Sequence, residues 1–175
     1  MKTADGFKIT VDPVEMRNLL SVLSALPKDT QQVVRDRALP LSQRFAGQLF
    51  MFSQAAPAPQ TKLVAQSIKP VRDRLVRVDV GGTKKVGRKY GGETSKSGKS
   101  KVRQTSASAG ALLWGTEYGS KPGVDSLGRR YTSRFKVGRS HSGYWMNPAI
   151  DYYAPVLAGE YIDMVKNVIH ELRLD

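Results

Sequence analysis

Apolar residues spaced three to four positions apart predict two helices in the first third of the chain. Asp12 can cap the first helix and Pro13 fits its first turn, so both residues signal a helix start. The apolar face that follows is made of leucines, namely Leu19, Leu20, Leu23 and Leu26. A second helix starts at Asp29 or Thr30 and continues past Pro40, where we expect a kink. Two consecutive helices predict a helical hairpin.

After residue 69 the apolar residues alternate with polar ones, which is typical of a strand with one buried face. The alternating apolar positions are Val76, Val78 and Val80. A turn at residues 73–74 separates this strand from a preceding strand that holds Val71. A second pass of the sheet is predicted through three further apolar positions, Tyr131, Phe135 and Val137.

Helical patterns return in the second half of the chain. Residues 107–118 favour a short helix closed by Gly119. A turn of helix is expected at residues 147–148, and beyond Pro155 the apolar residues fall on one helical stripe. This stripe consists of Leu157, Tyr161, Val165, Val168 and Leu172. The order of elements predicts a single α+β domain over residues 1–175, with N-terminal helices and a C-terminal amphipathic helix packed on a small antiparallel β-sheet.

Positive charge is concentrated in one segment. The chain has a net charge of +13, and residues 81–106 contribute +7 of it, with Glu93 as their only acid. Their six glycines and seven Ser or Thr leave little apolar surface to bury, which predicts a long, flexible basic loop inserted into the domain. Such a loop can contact a DNA backbone without reading sequence, or an acidic protein partner. The candidate contact residues are Lys84, Lys85, Arg88, Lys89, Lys96, Lys99, Lys101 and Arg103.

No residue pattern indicates a catalytic site. The chain has no cysteine, so thiolate chemistry, disulfides and zinc–thiolate sites are excluded. The segment 98–100 is similar to the end of a phosphate-binding loop, but Glu93 stands where that loop requires glycine. His141 and His170 are expected at the surface, and the carboxylates are scattered. We therefore expect no enzymatic activity, no cofactor and no metal site.

The sequence also bears on the compartment and on membranes. No apolar run approaches the roughly 18 residues of a membrane span. The first twenty residues include Asp5, Asp12 and Glu15 and lack the apolar core of a signal peptide. We expect a soluble product made in a cytosol, without a membrane partner.

Four aromatic residues flank the basic segments, namely Trp114, Tyr118, Tyr144 and Trp145. Aromatic rings interleaved with Lys and Arg can stack on bases in proteins that bind single strands. The same rings can instead anchor a core or a subunit interface. The sequence alone leaves both interpretations open.

Four short motifs follow one another along the chain. The first is Thr61-Lys62-Leu63-Val64-Ala65-Gln66-Ser67-Ile68, behind an Ala-Pro element. The second is the strand end Val78-Asp79-Val80-Gly81-Gly82, and the third is Trp114-Gly115-Thr116-Glu117-Tyr118-Gly119-Ser120. The fourth is Tyr144-Trp145-Met146-Asn147-Pro148-Ala149-Ile150. In their order and spacing, these motifs resemble the phage head-tail joining or tail-completion proteins, often labelled minor tail components.

The resemblance spans about residues 30–172. In that family the first motif reads Thr-Gly-x-Leu-x-x-Ser-Ile, so Lys62 replaces a glycine here. The third motif corresponds to Glu-Phe-Gly-Thr and the fourth to aromatic-x-x-Pro-Ala. The motif and interface candidates that the resemblance implies are Thr61, Leu63, Ser67, Ile68, Trp114, Glu117, Tyr118, Gly119, Tyr144, Trp145, Pro148 and Ala149.

The resemblance implies a structural virion protein, assembled in the host cytoplasm as a ring of six copies. The ring would lie in the neck of the particle, in contact with head-closure, tail-terminator or tail-tube proteins. A basic loop facing its channel would contact genomic DNA non-specifically. The alternative from another class is a small basic nucleic-acid-binding protein, and a nucleotide-using enzyme is a third interpretation.

Overall fold

The computed structural model of the chain describes residues 21, 23–90, 105–120, 123–124, 130–131 and 135–171. The helices in these residues are α1 (Lys28–Ala55), α2 (Thr61–Ala65), α3 (Ala109–Tyr118) and α4 (Met146–Glu171). The strands are β1 (Lys69–Val71), β2 (Arg77–Asp79), β3 (Lys85–Tyr90), β4 (Thr105–Ser108), β5 (Gly123–Val124) and β6 (Arg130–Tyr131). Residues 21 and 23–25 are also helical, whereas the helix start predicted at Asp12 lies outside the described residues. The α+β class is confirmed.

The described strands form three two-stranded sheets, β1–β2, β3–β4 and β5–β6, of which the last two are antiparallel. The turn predicted at residues 73–74 does join β1 to β2. The second pass predicted through Tyr131, Phe135 and Val137 is confirmed only at Tyr131, which lies in β6. It is wrong at Phe135 and Val137, because these residues lie in a turn around Lys136, whose φ is 56°. Phe135 is instead buried against Gly115 of α3, so its side chain serves a helix contact.

Part of the segment predicted as a flexible loop is a strand. β3 lies within residues 81–106 and pairs with β4, so the prediction of a flexible loop is wrong for Lys85–Tyr90. The composition predicted little side-chain burial, but a hairpin pairs its backbone groups without needing a buried face. The register shifts between Lys85 and Lys89, an interval that contains Gly87, and a glycine inside a strand often marks such an irregularity. Residues 91–104 lie outside the described part of the chain.

α1 buries one residue per turn along its whole length. These residues are Thr30, Val34, Ala38, Ser42, Ala46, Leu49 and Ser53. The two buried serines keep their hydroxyls satisfied, because Ser42 Oγ donates to the Ala38 carbonyl and accepts from Arg77 N, and Ser53 Oγ donates to the Phe50 carbonyl. Hydroxyls bonded to their own helix can therefore occupy apolar-face positions.

α4 is one continuous helix, so the prediction that the main helix begins only after Pro155 is wrong. Pro155 cannot bond the Asp151 carbonyl, but both residues are exposed and water can reach that side of the helix. The predicted apolar stripe is largely confirmed, since Leu157, Tyr161 and Val168 are buried. Leu172, at its end, lies outside the described residues.

The chain divides into two compact units. Unit 1 contains residues 1–46, 70–78 and 149–175, and unit 2 contains residues 47–69 and 79–148. The chain crosses between them four times, so neither unit is a continuous segment. The single-domain organisation of residues 1–175 stays a prediction.

Unit 1 is held by a small apolar core and by polar contacts around it. The core cluster is Leu23, Val34 and Val168, with Leu26, Val33, Leu75 and Met164 packed against it. Tyr161 donates its hydroxyl to the Arg74 carbonyl at 2.6 Å, and burial raises the pKa of this phenol to about 12. Arg37 pairs with Glu171, which joins α1 to α4, and this hydrogen-bonded pairing lowers the pKa of the Glu171 carboxyl. Salt bridges this exposed contribute little to stability.

We predict that Gly115→Ala destabilises the protein by about 1–3 kcal/mol, because the added Cβ would overlap the ring of Phe135. Gly47→Ala is the matched control, since Gly47 is also helical, belongs to the same unit and has open space around it. This control should stabilise by about 0.5–1 kcal/mol. Denaturant unfolding of both variants measures the difference, and equal stability would refute the packing described at Gly115.

Candidate functional site

Glu117 of α3 links this helix to the start of α4 in unit 2. Its carboxylate is fully buried and accepts three backbone hydrogen bonds. Oε2 accepts from Trp145 N at 3.3 Å and from Met146 N at 2.8 Å, and Oε1 accepts from Asn147 N at 2.8 Å. Amides at the start of a helix have no partner within that helix, and the helix dipole is positive there. A buried anion from α3 therefore closes the start of α4.

Close backbone packing fixes this carboxylate in place. Gly143 has a φ of 80°, and a side chain there would overlap the Glu117 carboxylate. Asn147 donates its side-chain amide to the Tyr118 hydroxyl at 2.9 Å. Gly119 ends α3 with a φ of 72°, as the sequence predicted, and a side chain there would overlap the Gly138 carbonyl. With both oxygens occupied by amides, Glu117 acts as a helix cap.

The other end of α3 is joined to the first two motifs. Ser67 Oγ donates to the Val64 carbonyl at 2.6 Å and accepts from Gly81 N at 2.8 Å. The first amides of α3 are also satisfied, because Ala109 N donates to the Lys84 carbonyl and Gly110 N to the Gly82 carbonyl. Ser108, which belongs to none of the four motifs, caps α3 by accepting a hydrogen bond from Ala111 N through its hydroxyl.

The four motifs therefore meet around α3 in unit 2. Thr61 is fully buried in α2, which packs against α3, while Leu63, Ser67 and Ile68 are half-buried. Trp145 is fully buried, and Tyr144 donates its hydroxyl to the Gly138 carbonyl at 3.1 Å. Pro148 is half-buried in the first turn of α4. Ala149 is buried but belongs to unit 1.

The structure separates the two interpretations of the aromatic residues. Trp145 belongs to the interior, whereas Trp114 is 71% exposed on α3. Half-buried Tyr118 lies one helical turn further, and the two ring centroids are 4.6 Å apart at 44°. Trp114 and Tyr118, which we call the α3 aromatic pair, therefore expose ring surface to solvent.

Exposed cations lie at both ends of α3. Lys84 and Lys85 are exposed next to its first turn, and the Lys84 ammonium donates to the Gln66 carbonyl at 2.6 Å. At the other end, Ser140 N donates to the Tyr118 carbonyl at 2.9 Å, which places exposed Lys136 and Arg139 beside the end of the helix. These four residues are the α3 cations.

Sequence reasoning missed two of the α3 cations, Lys136 and Arg139, because it concentrated on residues 81–106. The signal available was the run of Lys and Arg over residues 129–139, which contains no acid. Of the other predicted contact residues, Arg88 and Lys89 lie in β3. Lys96, Lys99, Lys101 and Arg103 lie outside the described residues, as does the segment similar to a phosphate-binding loop.

Within the described part of the chain, no group of three or more His, Asp or Glu side chains could hold a metal ion. No helix in those same residues is long and apolar enough to cross a membrane. His141 and His170 are exposed, as predicted.

Comparison with known proteins identifies no relative, since no protein-family model, curated protein or solved structure matches this chain.

We predict that Glu117→Ala lowers the free energy of unfolding by more than about 3 kcal/mol, because it leaves one buried and two part-buried amides without an acceptor. Glu117→Gln should cost about 1–3 kcal/mol, because its amide nitrogen would face a donor. Asp163→Asn is the control, since this exposed acid of α4 should change stability by less than about 0.5 kcal/mol. Denaturant unfolding compares the three variants, and a Glu117→Ala variant as stable as the control would contradict the capping role.

Proposed function

We propose that this chain is a structural protein of the phage neck, without enzymatic activity, which forms a ring that joins the DNA-filled head to the tail. The observation that carries the proposal is the order of the four motifs together with their contacts. Ser67 of the first motif bonds Gly81 of the second, and Glu117 of the third bonds the backbone of the fourth. Motifs linked in this way describe one structural unit, which makes the family resemblance more specific than four separate short matches.

Ring formation needs two different surfaces on each subunit, because a head-to-tail contact joins one surface to the other. Both units of the chain expose large apolar side chains that such contacts would cover. Phe50 and Met51 are 48% and 64% exposed in unit 2, and Val156 and Ile162 are 55% and 52% exposed in unit 1. Phe and Met, as at positions 50 and 51, are among the residues enriched at subunit interfaces. The neighbours along the particle axis would be head-closure, tail-terminator or tail-tube proteins.

The charge distribution suits a protein that surrounds DNA. Unit 2 contains 16 of the 28 basic residues and only 4 of the 15 acids, so it holds +12 of the net +13. A ring of six subunits would place six copies of unit 2 around a channel, and their charge would attract the DNA backbone without reading sequence.

Electron microscopy of negatively stained protein, purified in high salt to remove nucleic acid, tests the ring. We expect rings with six-fold symmetry and a central channel. Analytical ultracentrifugation on the same sample provides the mass of the assembly. A uniform monomer over a wide range of protein concentrations would contradict the proposal.

The concentration of charge in unit 2 also favours a second function, that of a small basic nucleic-acid-binding protein acting as a monomer. Salt dependence separates the two functions. A dedicated binder should retain useful affinity at physiological salt, although its affinity falls steeply as salt rises. The unassembled neck protein should bind duplex DNA only weakly there.

A further inference from the structure

The α3 aromatic pair has the geometry of a stacking surface. Trp114 is the most exposed large apolar side chain in the described residues, at 71%, and Tyr118 supports it from one turn away. Tyr118 is itself held by hydrogen bonds to its hydroxyl from Asn147 and to its carbonyl from Ser140. A rigidly supported ring that remains in water loses little conformational entropy when a flat ligand covers it.

The charge around this pair is positive. Lys84 and Lys85 lie at one end of α3, and Lys136 and Arg139 lie at the other. A ten-residue helix is about 15 Å long, so the two pairs of cations belong to backbone at opposite ends of α3, roughly that far apart. The two acids among the described residues of unit 2 are Glu117, which is buried, and Asp79, which lies in β2. The ligand of this surface should therefore combine a flat ring with negative charge on both sides.

We propose that α3 forms a binding site for single-stranded nucleic acid, in which one base stacks on Trp114 and the α3 cations contact the flanking phosphates. Proteins that bind single strands combine aromatic stacking surfaces with a basic track for the backbone in this way. A duplex fits less well, because its bases are stacked on each other and cannot present a face to Trp114. A contact between this face of two copies fits less well too, because it would bring like charges together. The site goes beyond the neck role and does not require a ring.

Fluorescence anisotropy of a labelled oligothymidine of about 12 nucleotides, titrated with the full chain, tests the site. We expect Trp114→Ala to weaken binding about 5- to 150-fold, which corresponds to about 1–3 kcal/mol for one stacked base. Trp114→Phe should restore part of the affinity. The matched control is Tyr152→Ala in unit 1, because Tyr152 is 69% exposed and its ring centroid lies 4.8 Å from that of Tyr153.

The phosphate contacts have their own test. The double variant Lys136→Ala and Arg139→Ala should reduce the slope of log affinity against log salt by about 1.4, which is the loss of two single-strand phosphate contacts. Lys28→Ala with Lys166→Ala removes two exposed cations from unit 1 and should leave the slope almost unchanged.

Two outcomes would overturn the proposal. The first is a Trp114→Ala variant that binds the oligonucleotide as tightly as the wild type. The second is an equal loss of affinity for a blunt duplex and for a single strand, which would mean that Trp114 does not stack on a base. If the Trp114→Ala variant of the first outcome also fails to form the ring of subunits, this face is instead a contact between copies. Rings that form normally while single-strand binding fails would leave the neck function standing and refute only this site.

Discussion

The first amides of α4 have no partner within their own helix, and Glu117 provides an acceptor for them from the buried end of α3. Unit 2 depends on this arrangement, because the same few residues fix the end of α3, the turn before α4 and the buried position of Trp145. A carboxylate is favourable there since it meets backbone dipoles and hydrogen-bond donors, which offset the cost of its burial. Gly143 and Gly119 are required by the same packing, because a side chain at either position would overlap its neighbours.

With its end fixed by the cap, α3 contributes both buried residues and exposed residues to unit 2. The Glu117 side of α3 is buried with Leu112 and Thr116, and Trp114 lies on the exposed side. Because both ends of α3 are tied to neighbouring backbone, the backbone that carries the exposed rings and the α3 cations is held in place. A preorganised surface of this kind suits binding, whether the partner is a nucleic acid or a neighbouring ring.

Local periodicity predicted α1, the apolar stripe of α4 and the β1–β2 turn, because the apolar spacing of α1 and α4 reflects faces that are partly buried, but it placed the start of α4 too late. It failed where the deciding contact is distant. The bonds of Glu117 reach 28–30 residues along the chain, so nothing near it in the sequence identified a cap. Phe135 was assigned to a strand because its contact with Gly115 is not local. The composition of residues 81–106 did not predict β3, because a hairpin in a Gly- and Lys-rich segment is stabilised by backbone pairing.

Backbone hydrogen exchange at Met146 and Asn147, measured by NMR, tests most directly whether Glu117 caps α4. Amides in the first turn of a helix normally exchange rapidly because they have no intrahelical partner. If Glu117 caps α4, these two amides exchange as slowly as those in the middle of α4, and Glu117→Gln accelerates them selectively. Exchange at the unprotected rate in the wild-type protein would contradict the cap and the organisation of unit 2 that depends on it.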